Sequence, residues 1–169
     1  MLLNRITLAP GEAIFMPAGN LHSYIHGVGM EVMANSDNVL RGGLTPPKHV
    51  DVPELLRVLD FRPADEETLR APTHREGIEL VYETPPAVEF ATCVLMLDGD
   101  NLGHEIDAPP SRHDGPQILV CTEGSVVVRA KSDVVKLDRG YAAWVAADDG
   151  PIRLEASEPS KLFRATVGL

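Results

Sequence analysis

Apolar residues in this chain come in short alternating runs, each cut off by Gly, Pro or Asn. Over the first 33 residues the runs are RITLAP, AIFMPAGN, HSYIHG and GMEVMAN. Alternation of period two marks a strand with one buried face, and the punctuation marks turns. From residue 86 the pattern resumes as AVEFATCVLML, QILVCTEGSVVVRA, VVKL, AAWVAA, IRLEA and KLFRATV. With 14 Gly and 14 Pro, turns are frequent and long helices rare. The pattern predicts an all-β chain of antiparallel barrel or sandwich type. QILVCTEGSVVVRA reads as a hairpin with Glu123-Gly124 near its turn.

Between the two sets of strands the character changes. Residues 34–50, ANSDNVLRGGLTPPKHV, are polar and rich in Gly and Pro and read as a loop. Pro53 suits a first helical turn, and the Leu/Val stripe after it predicts one short helix up to Leu59. Residues 60–85, with several Pro and many charges, read as a linker. One internal repeat organises the whole. Leu8-Ala9-Pro10-Gly11-Glu12-Ala13-Ile14-Phe15-Met16-Pro17-Ala18 aligns with Leu137-Asp138-Arg139-Gly140-Tyr141-Ala142-Ala143-Trp144-Val145-Ala146-Ala147. A repeated strand-and-turn unit implies the end of one barrel followed by a second, complete one. The expected division is 1–50, part of a first barrel; 51–85, short helix and linker; 86–169, a complete barrel.

The charge excludes some functions. Fifteen Lys and Arg stand against 25 Asp and Glu, a formal charge of -10. Such a surface repels nucleic acid and anionic lipid, so neither nucleic acid nor membrane is expected as a partner. The two cysteines, Cys93 and Cys121, sit in apolar strand-like runs and read as buried thiols. A reducing compartment fits them. No apolar run approaches membrane-spanning length, and MLLNRITLAP is too short for a signal h-region. The expected location is cytoplasmic.

Chemistry enters with Gly11, Pro17, Gly19 and His22, spaced G-x5-P-x-G-x2-H. Pro17 and Gly19 end one strand sharply, and His22 opens the next, where alternation can aim an imidazole into a barrel. This spacing resembles the second motif of the cupin superfamily, although the Asn usual four residues after the His is His26 here. Such a metal site takes its other ligands from earlier strands of the same barrel. None of the ten residues before Gly11 is His, Glu, Asp or Gln. In the second barrel, counting back from Gly124 puts Gln117, His113 and Ser111 at the other ligand positions, and Pro151 falls where His22 falls. That barrel reads as metal-free.

The stretch MEVMANSDNVLRGGLTPPKHVDVPELLRVL, together with PAGNLHSYIHG, resembles the C-terminal half of type I mannose-6-phosphate isomerase. The likeness is dense over residues 7–61 and looser over 62–169. It implies a cupin-like jelly roll: a partial catalytic barrel in 1–50 and a metal-free cupin-like barrel in 86–169. It also implies a zinc-dependent isomerase that interconverts the sugar phosphates mannose 6-phosphate and fructose 6-phosphate. By the same resemblance, His22 matches a zinc ligand and Arg41 the active-site arginine. Asp37, Lys48 and Glu31 match polar residues of the pocket, with Glu31 or Asp37 open as the proton-transfer group. The family usually reads T-P-K where this chain has Thr45-Pro46-Pro47-Lys48, which shifts Lys48 relative to Arg41. The family's remaining ligands, a Q-x-H pair and a Glu, lie in its N-terminal half. The expectation is a fragment inactive alone, whose open strand edges invite an N-terminal fragment or a second copy. The rival reading is a non-catalytic cupin-like module that binds a sugar or a partner.

Overall fold

A computed structural model describes residues 3–36, 39–42, 49–83, 87–110, 114–131 and 133–168. The chain divides into two units, Met1–Ala71 and Pro72–Leu169.

The second unit is the all-β structure that the alternation predicts. Strands β1 (Thr73–Glu76), β2 (Glu79–Tyr82), β3 (Phe90–Leu97), β5 (Gln117–Glu123), β8 (Ala142–Val145) and β10 (Ser160–Val167) form one antiparallel sheet. Its order is β1-β2-β3-β10-β5-β8. Strands β4 (Glu105–Asp107), β6 (Ser125–Arg129), β7 (Val134–Asp138) and β9 (Arg153–Glu155) form a second, ordered β4-β9-β6-β7. Alternate side chains from both sheets meet in one core. Leu95, Leu119, Cys121 and Leu162 from the first and Val126, Leu137 and Leu154 from the second are all but inaccessible to solvent. Burying a side chain of this size contributes about 1.5–3 kcal/mol, so this core can carry the unit.

Two expectations for this unit need correction. Strands β5 and β6 are not a hairpin. They belong to different sheets, and the chain crosses between them at Gly124, whose φ is 68°. A Cβ there would lie 2.2 Å from Ser160 Oγ, and the Ser125 N–H donates to that same hydroxyl at 3.1 Å. A single-residue bend this tight turns the strand over the corner instead of folding it back. The supposed linker is partly strand: β1 and β2 form a hairpin with Glu76 opposite Glu79, and β2 continues onto β3. These strands are four residues long and β1 reads THRE, too short and polar for alternation to register.

The first unit holds helix α1 (Val52–Val58), as expected, and a single turn, α2 (Glu66–Leu69). Asp51 caps α1 by accepting the Glu54 N–H at 3.1 Å, with Pro in the first turn, which satisfies an otherwise orphaned donor. Residues 13–15 pair with 69–71: Ile14 bridges Arg70, and the Phe15 N–H donates to Leu69 O at 2.7 Å. Apart from that bridge, the runs read as strands in residues 1–33 are extended without a ladder among the described residues. A strand exists by its partner, and among the described residues only the Ile14–Arg70 bridge supplies one.

The repeat is visible as a repeated turn. Ala9 O accepts from Glu12 N at 3.0 Å, and Asp138 O accepts from Tyr141 N at 3.0 Å. Gly11 and Gly140 occupy the third position with φ of 88° and 91°, a backbone that turns of this kind reserve for glycine. Among the described residues no helix is long and apolar enough to cross a membrane.

Candidate functional site

The segment after Pro17 is fixed at its start. Gly19 O accepts the Asp60 N–H at 3.0 Å, and a Cβ on Gly19 would stand 3.0 Å from Val58 O. The turn thus packs on the end of α1, which explains the glycine of the motif. Three residues after Gly19, His22 is exposed. Its Nδ1 lies 3.0 Å from Asn20 O. A carbonyl only accepts, so this contact places the proton on Nδ1 and leaves the Nε2 lone pair free, the arrangement of a metal-ligating histidine.

Tyr24 and His22 form a T-shaped ring pair, with centroids 6.0 Å apart and an interplanar angle of 72°. Its hydroxyl donates to Glu31 Oε1 at 2.9 Å. Desolvation, with the carboxylate beside it, raises the phenol's pKa. The phenol thus touches both the imidazole and the carboxylate.

Arg41 is linked to this segment through its neighbour Gly42. The Leu21 side chain abuts Gly42 so closely that a Cβ there would lie 2.6 Å from Leu21 Cδ1. The chain neighbours of His22 and Arg41 are thus in contact. Arg41 is half-buried, and among the described residues no carboxylate lies within ion-pair distance of it. Asp37 and Lys48 lie outside the described residues.

His22 suits one coordination position for zinc. Among the described residues no group of three or more His, Cys, Asp or Glu is gathered closely enough to hold a metal ion. In the second unit, Ser111 and His113 lie outside the described residues, and Gln117 is buried with Oε1 lacking a hydrogen-bond partner. What the interior of that unit does hold is Arg164, 2% exposed. It pairs with Glu79, donates from Nε to Cys93 Sγ at 3.2 Å and donates to Pro109 O at 2.6 Å. Burial pushes the Cys93 thiol up to about 12. This cluster ties β2, β3 and β10 together and leaves the thiol protonated.

The chain resembles solved structures of phosphomannose isomerase. A solved structure of the Salmonella typhimurium enzyme, bound to its substrate f6p and to zinc, matches with a TM-score of 0.65 at 33% identity. The match covers 81% of this chain and 32% of that one. By sequence the chain is homologous to the C-terminal portion of mannose-6-phosphate isomerase. It is 40% identical over 166 residues to the Salmonella protein, covering 97% of this chain and 39% of that protein. The human protein is 34% identical over 169 residues, covering 96% and 38%. The chain thus spans about two-fifths of the length of these curated relatives. No protein-family model matches it. The Salmonella enzyme has also been crystallised with a histidine or an arginine changed to alanine, at positions nineteen residues apart. His22 and Arg41 have that same separation. Tyr24 is the residue that motif reasoning passed over. The available signal was parity, since i and i+2 share a face of an extended segment.

Proposed function

We propose that this chain is the C-terminal part of a zinc-dependent isomerase that interconverts mannose 6-phosphate and fructose 6-phosphate, active once an N-terminal segment completes the site. The observation that carries the reading is the contact of Leu21 with Gly42, which brings the neighbours of His22 and Arg41 together. Identity to the isomerases over nearly the whole chain supports it.

His22 would hold the metal through Nε2, with Asn20 fixing the ring. Zinc, when bound, supplies a Lewis acid for the substrate oxygens. Aldose–ketose isomerisation moves a proton between C1 and C2 and builds negative charge on oxygen. Arg41, charged at every working pH, stabilises that charge or holds the phosphate. Glu31 or Asp37 moves the proton or orients the groups that do, and Lys48 adds a cation to the same pocket. On this reading residues 1–50 belong to the catalytic barrel, and the second unit, which begins at Pro72, is a metal-free barrel. Two free, buried thiols suit a cytoplasmic setting.

A coupled assay reading fructose 6-phosphate tests the proposal. The lone chain should show background rate. The chain mixed with zinc and the N-terminal segment of the Salmonella relative should recover turnover. Full activity from the lone chain would refute the need for completion. No activity from a folded, zinc-loaded mixture would leave a non-catalytic sugar-binding module.

A further inference from the structure

We infer that Tyr24 is a positioning residue that holds the Glu31 carboxylate and the His22 ring in fixed relation, an assignment that rests on the proposed isomerase site. The phenol makes both contacts at once. Its ring makes a T-shaped contact with the imidazole, centroids 6.0 Å apart, and its hydroxyl donates to Glu31 Oε1 at 2.9 Å. The first contact limits rotation of a ring already held by Asn20. The second occupies one lone pair of a carboxylate and leaves its other oxygen to face substrate. An unhindered Glu side chain samples several rotamers, and a hydrogen bond to a two-torsion aromatic removes most of that freedom. Groups of this kind behind a ligand or a proton-transferring carboxylate change activity or metal affinity about 10- to 100-fold when removed. Tyr24 is itself 74% exposed, so a structural role in a core does not account for these contacts.

The two contacts separate by substitution. Tyr24→Phe keeps the ring contact and loses the hydroxyl, whereas Tyr24→Leu loses both. On the full chain, the carboxyl ¹³C resonance of Glu31 should move in both variants. The ring-current displacement of the His22 ring protons should persist in Tyr24→Phe and vanish in Tyr24→Leu. Unchanged second-unit resonances confirm the fold in each. In the completed, zinc-loaded protein, Tyr24→Phe should lower kcat about tenfold with KM and zinc retention unchanged. Adding Tyr24→Phe to Glu31→Ala should lower the rate no further than Glu31→Ala alone. Unmoved Glu31 and His22 resonances in both variants, or additive losses in the double variant, overturn the assignment. If the completed protein has no isomerase activity, the proposed function fails by itself, and the resonances still decide whether Tyr24 couples His22 to Glu31.

Discussion

Arg41 is half-buried and lacks an ion-pair partner among the described residues. In the proposed function this guanidinium meets the charge that develops on, or arrives with, the substrate. Arg41→Ala in the completed protein should therefore cut turnover about 10²- to 10³-fold, as for loss of an oxyanion contact, while zinc content stays the same. His22→Ala should do the reverse, lowering zinc retention on dialysis before turnover is measured. Elemental analysis beside the coupled assay separates the two. Cys93 supports a second prediction at this scale. Its thiol is pushed up to about 12, chiefly by burial and partly opposed by Arg164. In the unfolded chain it returns to the ordinary range near 8.5. The folded state then binds the extra proton, so this stabilising contribution is complete below about pH 8.5 and fades as pH rises toward 12. Melting temperatures between pH 8 and 11 should fall more steeply for the native chain than for Cys93→Ser. Both thiols should resist alkylation until the second unit unfolds.

At the level of elements, the contrast between two glycines shows what the sequence discloses. The turn at Gly11 was legible because Leu, Gly and two Ala recur at the same offset around Gly140, and the two turns share one geometry. The crossing at Gly124 was not, because a strand that bends into the other sheet keeps the same alternation as one that folds back. Only tertiary packing, here Ser160 pressed against the Gly124 backbone, distinguishes them. The β1–β2 hairpin stayed hidden for a different reason. Glu79 is buried there because Arg164 neutralises it from β10, a long-range pairing no local pattern reveals. At the candidate site the spacing of His22 and Arg41 can be read from the sequence, but the Tyr24–Glu31 hydrogen bond cannot, since it joins residues seven apart with no regular element between them. Gly124→Ala should be costly, since its Cβ would meet Ser160 Oγ at 2.2 Å and Pro159 O at 2.5 Å and the positive φ adds strain. A loss of about 2 kcal/mol or more is expected, read as a lower urea midpoint with an unchanged slope. Gly124→Asn, which tolerates the backbone but not the contact, should recover only a small part.

Across the whole molecule the two units differ in how much apolar surface they bury. The second carries nearly all of the buried apolar residues; in the first, Leu69 is the one buried apolar side chain among the described residues. Ile25 is 77% exposed, Val28 fully exposed and Met33 66% exposed, all beside His22 and Glu31. A piece of about 70 residues with so small a core falls short of offsetting its conformational entropy. The second unit, with its two-sheet core, does not share that deficit. Amide exchange should therefore be graded. Amides of β3, β5 and β10 should exchange only through global unfolding, and those of residues 20–35 should exchange with little protection. Extended segments with free backbone groups and apolar side chains are templates for strand addition. When the N-terminal segment of a relative is added, residues 20–35 should gain protection of tenfold or more while β3, β5 and β10 change little. The gain should follow the same concentration dependence as the recovery of turnover, because in the proposed function one event covers the apolar surface and completes the ligand set. Recovered activity without added protection at residues 20–35 would mean that this surface is not where the two pieces join. Protection in residues 20–35 equal to that of the second unit, in the lone chain, would show that the first unit needs no completion.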